Sequence, residues 1–234
     1  HHADHRDWHH DEHYSINHRD WYRHEWWHHQ LSWHNRPWRY WWHHPTVNEI
    51  AAWSAGWNLA DPIYYDYGPD GNVVYRDNQV YVNDSPVGTA AAYAQSAITL
   101  AAAGVATETS TDQADEWLPL GTFAVLQANG DSQPSQTLQL AMNKNGTVSG
   151  VLFDLVKDTS TPIHGSLERA TQRVAFDLGA KSGLVAETGF YNLTKDQVTL
   201  LVHKGKEQPL TYTLVRFQSP PASDEAKDVT PLTE

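Results

Sequence analysis

The sequence predicts a mainly β protein, with a C-terminal eight-stranded antiparallel up-and-down barrel. Ahead of the barrel it places a small α+β unit of meander plus helix, and ahead of that a His/Trp-rich arm. Two patterns in the second half carry the barrel. Apolar and polar side chains alternate with period two in eight short runs, and clusters of turn residues separate those runs at hairpin-length spacing. A third observation sets the arm apart: residues 1–44 hold 13 of the chain's 15 histidines and 8 of its 11 tryptophans, with almost no aliphatic side chain. No aliphatic core can be built from them.

A chain of 234 residues suffices for two small domains or one sizeable domain with appendages, so a buried core is expected. Its 16 basic and 28 acidic side chains give −12 with histidine neutral, which argues against nucleic acid as a partner. The longest weakly polar run, Ala97 to Ala106, falls far short of the ~20 residues a spanning helix needs, so no transmembrane segment is expected. Absence of cysteine removes disulfides, thiolate ligands and a cysteine nucleophile together. The opening His1-His2-Ala3-Asp4 has no charged-then-apolar leader and reads as the start of a processed form.

Within the arm (1–45), Arg6, Arg19, Arg23, Arg36 and Arg39 balance six acids to near neutrality. His5-Arg6-Asp7-Trp8 recurs as His18-Arg19-Asp20-Trp21, and Asn17 ahead of Asp20 caps a helix over roughly 18–31. Indoles this dense are too apolar for one solvated tail, and large apolar patches mark interaction sites. Self-association is therefore assigned to Trp8, Trp21, Trp26, Trp27, Trp33, Trp38, Trp41 and Trp42. On a helix, His5, His9 and His13 stack at i, i+4, i+8, as do His24 and His28 at i, i+4, which is chelating separation for zinc, copper or nickel. His24-Glu25-Trp26-Trp27-His28 meets the letter of the metalloprotease motif, but among histidines this dense one chance match is unsurprising, and the two tryptophans predict packing. Below the ordinary histidine pKa of about 6.5 the arm turns positive while the remaining 11 basic and 22 acidic side chains stay negative. Mild acid should then promote association.

Residues 46–105 form the next unit. Thr46 and Glu49 make a capping box for a helix from Val47 to about Trp57, with Ile50, Trp53 and Trp57 on one face. From Ile63 the period becomes two, giving strands at Ile63–Tyr67, Asn72–Arg76, Gln79–Val82 and Ser85–Val87 across turns at 68–71, 77–78 and 83–84. Gly88-Thr89 caps an alanine-rich helix through about Ala103, closed by Gly104. Residues 106–116, rich in threonine and acids, read as a linker.

The run Tyr65-Asp66-Tyr67-Gly68, with Asn72-Val73-Val74-Tyr75, Val80-Tyr81-Val82-Asn83, Pro86-Val87-Gly88-Thr89 and Tyr93-Ala94-Gln95, resembles the mu-protocadherin-like putative cell-surface proteins, a family of secreted bacterial proteins. The similarity continues through Trp117-Leu118-Pro119-Leu120-Gly121 and Asn192-Leu193-Thr194-Lys195-Asp196, covering roughly 46–217. It implies an exported or cell-surface setting and brings no catalytic residue with it.

Strands of the barrel (117–218) are expected at Gly121–Gln127, Gln136–Asn143, Thr147–Leu155, Pro162–Glu168, Arg173–Leu178, Leu184–Tyr191, Gln197–His203 and Leu210–Phe217. Leu138, Leu140 and Met142 share one face, as do Val174, Phe176 and Leu178, and Val198, Leu200 and Val202. Leu120-Gly121-Thr122-Phe123 is similar to the first strand of avidin-like and lipocalin-like barrels, where glycine precedes an aromatic. Residues 219–234, acidic and proline-containing, read as a tail.

Apolar residues at the alternating positions predict a packed interior, although eight strands sometimes enclose one small ligand. His164, His203, Asp154 and Ser166 suggest a triad, but no nucleophile-elbow pattern surrounds any serine, and no catalytic residue is expected. The expected function is that of a non-enzymatic extracellular structural or adhesive protein, homo-oligomeric or polymeric through its arm and aromatic meander, with no required cofactor. Cell-surface carbohydrate is a further expected partner, because aromatic platforms suit sugars. Alternatives are a histidine-based divalent metal binder and a small-ligand-binding barrel.

Overall fold

The structure, a computed structural model, describes residues 38–68, 70–107, 117–127, 134–179, 182–205 and 207–218. Helix α1 (Val47–Trp53) leads to a three-stranded antiparallel meander, β1 (Val73–Arg76), β2 (Gln79–Val82) and β3 (Ser85–Thr89), and then to helix α2 (Ala90–Thr107). The remaining strands are β4 (Trp117–Gln127), β5 (Gln136–Asn143), β6 (Thr147–Asp154), β7 (Thr159–Glu168), β8 (Arg173–Asp177), β9 (Leu184–Gly189), β10 (Gln197–Lys204) and β11 (Leu210–Arg216). Each pairs antiparallel with its neighbours in sequence, and β11 returns to β4 to close the barrel.

Period-two alternation decides what fills it. Phe123 on β4 stands opposite Leu138 on β5, which stands opposite Leu152 on β6. These three join Leu140, Met142, Val174, Phe176, Val198, Leu200 and Val202 in one apolar cluster inside the wall. The lumen is a core.

A bulge between Pro119 and Gly121 interrupts the β4–β5 register and brings Gly121 to a φ of +121°, a region that disfavours any Cβ. A side chain there would also collide with Arg216 Nη1. Arg216 is paired with Phe123 across β11 and β4, and its guanidinium lies 4.4 Å over the Phe123 ring. From there it donates to the carbonyls of Leu120 (2.8 Å), Leu193 (2.5 Å) and Lys195 (3.3 Å). Burial pulls it down to about 10, so it stays charged at neutral pH and closes that end of the barrel. The glycine-before-aromatic pattern at Gly121 and Phe123 thus has a local steric cause.

Outside the wall, Ala124, Leu126, Val215 and Phe217 gather round Trp42, whose indole meets the Phe217 ring edge-on at 5.9 Å. Trp38–Trp42 is a 3-10 turn, and the Trp41 carbonyl accepts from Thr122 Oγ1 at 2.8 Å. Trp41 and Trp42 are 2% and 6% exposed within this one chain. The expectation that these two indoles face another copy is corrected accordingly: their area is already covered by the chain itself, roughly 4–6 kcal/mol per indole as an upper bound from buried area.

The meander unit departs from expectation at Ile63–Tyr67, which is extended but is not a strand. Its backbone polar groups are met by side chains instead. Gln172 accepts from Ile63 N and donates to the carbonyls of Ala60 and Asp61, while Asn192 accepts from Tyr65 N and donates to Tyr65 O, both at 2.8 Å. Thr199 Oγ1 accepts from Tyr67 N. The segment is laid on the barrel by amides that imitate a strand neighbour. The helix expected to run to Trp57 ends at Trp53 and resumes as a 3-10 turn over Ala55–Trp57. Its capping box is formed as expected, with Glu49 N and Thr46 Oγ1 at 3.2 Å and Thr46 N and Glu49 Oε2 at 2.7 Å.

Helix α2 continues past Gly104, which is a contact residue and not a cap. A Cβ there would run into the Gly165 backbone on β7. Along the same helix face, Tyr93, Ala97, Ala101 and then Gly104 fall in size towards the C-terminal end, with Ala97 and Ala101 packed on Ala175 of β8. The last turns can therefore touch strand backbone, whereas the first turns stand over larger rings.

Candidate functional site: a buried polar nest between helix and barrel wall

Strands β8, β9 and β10 turn Val174, Ala186 and Val202 inward, so alternation turns Arg173, Glu187 and His203 outward. Outward here does not mean solvent. Helix α2 and the meander cover all three, which are 5%, 0% and 3% exposed. Arg173 donates through Nε (3.1 Å) and Nη2 to Glu187 Oε2, and through Nη1 to Ser96 Oγ on α2 (2.9 Å). Although burial works against its charge, the Glu187 carboxylate more than restores it and holds the guanidinium above its usual value. The other carboxylate oxygen, Glu187 Oε1, lies 3.3 Å from His203 Nε2. A buried carboxylate between two cation-capable partners is the condition under which a buried charge is tolerated.

Tyrosines roof this trio. The Arg173 guanidinium sits 4.0 Å over the Tyr93 ring, whose centroid is 6.5 Å from His203 and 6.4 Å from Tyr75. Among the described residues the buried Tyr75 hydroxyl has no acceptor at hydrogen-bond geometry, and the buried Tyr67 and Tyr93 hydroxyls face each other. Tyr65, by contrast, donates to Thr171 O at 2.6 Å. Burial pushes Tyr65 up to about 12, and burial followed by the Glu187 charge pushes Tyr67, Tyr75 and Tyr93 well above the ordinary phenol value. All four phenols are neutral donors at physiological pH.

Two clefts reach this nest, one at His203 and the other at Tyr93 and Arg173. One, about 500 Å³, lies between the first turns of α2 and the β10–β11 hairpin, with His203, Tyr75, Asn78, Gln95 and Gln208 among its walls. The other, about 250 Å³, is lined by Tyr65, Tyr93, Ser96, Glu168 and Arg173. The described lining of the larger cleft holds His203, Glu207 and the amides of Asn78, Gln95 and Gln208, which can donate or accept hydrogen bonds.

Among the expected site residues, His5, His9, His13, His24, His28, Trp8, Trp21, Trp26, Trp27 and Trp33 lie outside the described residues, as do the linker residues 108–116 and the tail from 219. Trp38 is in the 3-10 turn at the arm's root. The suggested triad does not assemble. His164 is 3.5 Å from Asp177, His203 adjoins Glu187, Asp154 binds Lys157, and Ser166 Oγ donates to Leu100 O. Among the described residues no three metal-ligating side chains converge. Meander aromatics expected at an intermolecular surface are engaged within the chain: Tyr65, Tyr67, Val73, Val80 and Tyr93 form one cluster with Leu201 of β10. Trp53 and Trp57 carry Lys144 and Arg169 over their rings at 4.3 and 4.6 Å, as cation–π pairs.

Arg173 and Glu187 were missed by sequence reasoning because an outward charge on a strand ordinarily means a solvated face. The small-residue face of α2 was the available sign that something would lie close against that wall. No family model, curated protein or solved structure matches this chain.

Proposed function

We propose that the protein is a non-enzymatic, extracellular structural or adhesive protein, its packed barrel serving as a rigid body for an arm through which copies associate. The observation that supports this most is the anchorage of the arm's root. Trp42 is clamped on the outer face of β4 and β11, and the Thr122 hydroxyl is bonded to Trp41 O, so a force on residues 1–37 passes directly into the barrel wall. The core of Phe123, Leu138, Leu152 and Phe176 fills the lumen, which speaks against a carrier role inside the barrel. Association then rests on Trp8, Trp21, Trp26, Trp27, Trp33 and Trp38, and the second reading, divalent metal binding, rests on His5, His9, His13, His24 and His28. Light scattering from pH 7.5 to 5.5, with and without chelator, tests the first reading. Growth in mass that rises towards acid and survives chelator is expected; a monomer in every condition removes it. Growth abolished by chelator favours the metal reading.

A further inference from the structure

We infer that the cleft of about 500 Å³ between α2 and the β10–β11 hairpin binds a neutral polyhydroxylated ring, the size class of one or two monosaccharide units. Among the described residues its lining carries one carboxylate and no lysine or arginine. Glu207, at the rim, lies 3.4 Å from Lys204 Nζ, and Glu187, behind His203, is held by Arg173. Its hydrogen-bonding groups suit hydroxyls. Among the described residues the side-chain amides of Asn78, Gln95 and Gln208 make no hydrogen bond, and each offers donors and an acceptor to a vicinal diol.

The floor supplies the second, independent sign. His203 is almost wholly buried and lines the cleft, and its Nε2 lies 3.3 Å from Glu187 Oε1, which leaves Nδ1 for a ligand hydroxyl. The Tyr75 side chain lines the cleft with it. Ala90, Ala94, Ile98 and the Tyr75 ring give the lining apolar surface, which suits the C–H face of a pyranose. An anionic ligand meets no lysine or arginine among the described lining. None of the described residues 38–45 lines this site, and the assignment does not rest on self-association.

The test is saturation-transfer NMR on the full chain with glucose, galactose, mannose and N-acetylglucosamine, and with glucuronate and glucosamine as charged counterparts. Transfer from at least one neutral sugar is expected, with an affinity on the order of millimolar. Ala94→Trp, which fills the cleft from the helix surface, should weaken it about tenfold, and Gln95→Ala about threefold. Gln95→Ala carries the test alone if the tryptophan variant does not fold. No transfer from any of the four neutral sugars, transfer unchanged in the variants, or tighter binding of a charged counterpart would each overturn the assignment.

Discussion

Glu187 is a fully buried carboxylate reached by Arg173 on one side and His203 on the other, and its removal leaves a guanidinium under helix α2 with no counter-charge. Glu187→Gln is expected to cost about 3–5 kcal/mol in urea unfolding, because the orphaned charge, more than the lost attraction, sets the penalty. Replacing both partners by apolar side chains, Arg173→Met with Glu187→Leu, should be milder than the single change. A double variant worse than the single would show that the pair's attraction dominates its desolvation. Glu49 offers a smaller effect with a definite pH sign. The Thr46 backbone N–H donates to it and holds it below its ordinary value of about 4.5. Its folded pKa is therefore depressed, so its stabilisation is present above about 4.5 and is lost as pH falls through the folded value. The melting-point gap between the protein and Glu49→Gln should close between pH 7 and pH 3; a gap of constant width would remove the capping-box account.

Elements were legible in proportion to how far their pattern is local. The eight barrel strands start and stop close to where alternation places them, because inward apolar positions such as Val174, Phe176 and Leu178 are fixed by the closed wall itself. Ile63–Tyr67 has the same local pattern but meets a strand only at one bridge, Tyr67 to Val73. Its pairing with Gln172 and Asn192 involves side chains more than 100 residues away, which no local period reveals. Gly104 misled for a similar reason, since a helix-ending glycine and a helix–sheet contact glycine look alike until Gly165 is brought opposite. Gly104→Ala separates the two. As an interior helix position it would gain up to about 1 kcal/mol from propensity. Contact with the Gly165 backbone should reverse that sign, lowering the unfolding midpoint and loosening α2 in hydrogen exchange. A stabilised variant would contradict the close packing of α2 on β7.

At the scale of the whole molecule, a filled barrel, a sealed end at Arg216 and a helix-covered wall describe a body built to stay rigid. Composition told the arm apart from that body. It did not tell that Trp41 and Trp42 belong to the body, because an indole bound to its own barrel and one awaiting another copy have the same sequence signature. The candidate site was less legible than the fold, since its polar groups come from α2, β8, β9 and β10 and meet only when the barrel closes. Association through the remaining arm indoles is the central claim, and sedimentation velocity at neutral pH in chelator tests it most directly. The full chain should run as assemblies much larger than its 26.5 kDa, and the full-length variant with Trp8, Trp21, Trp26, Trp27, Trp33 and Trp38 changed to alanine as a monomer. A full chain that stays at 26.5 kDa at every concentration, or a variant that assembles equally well, would contradict the account.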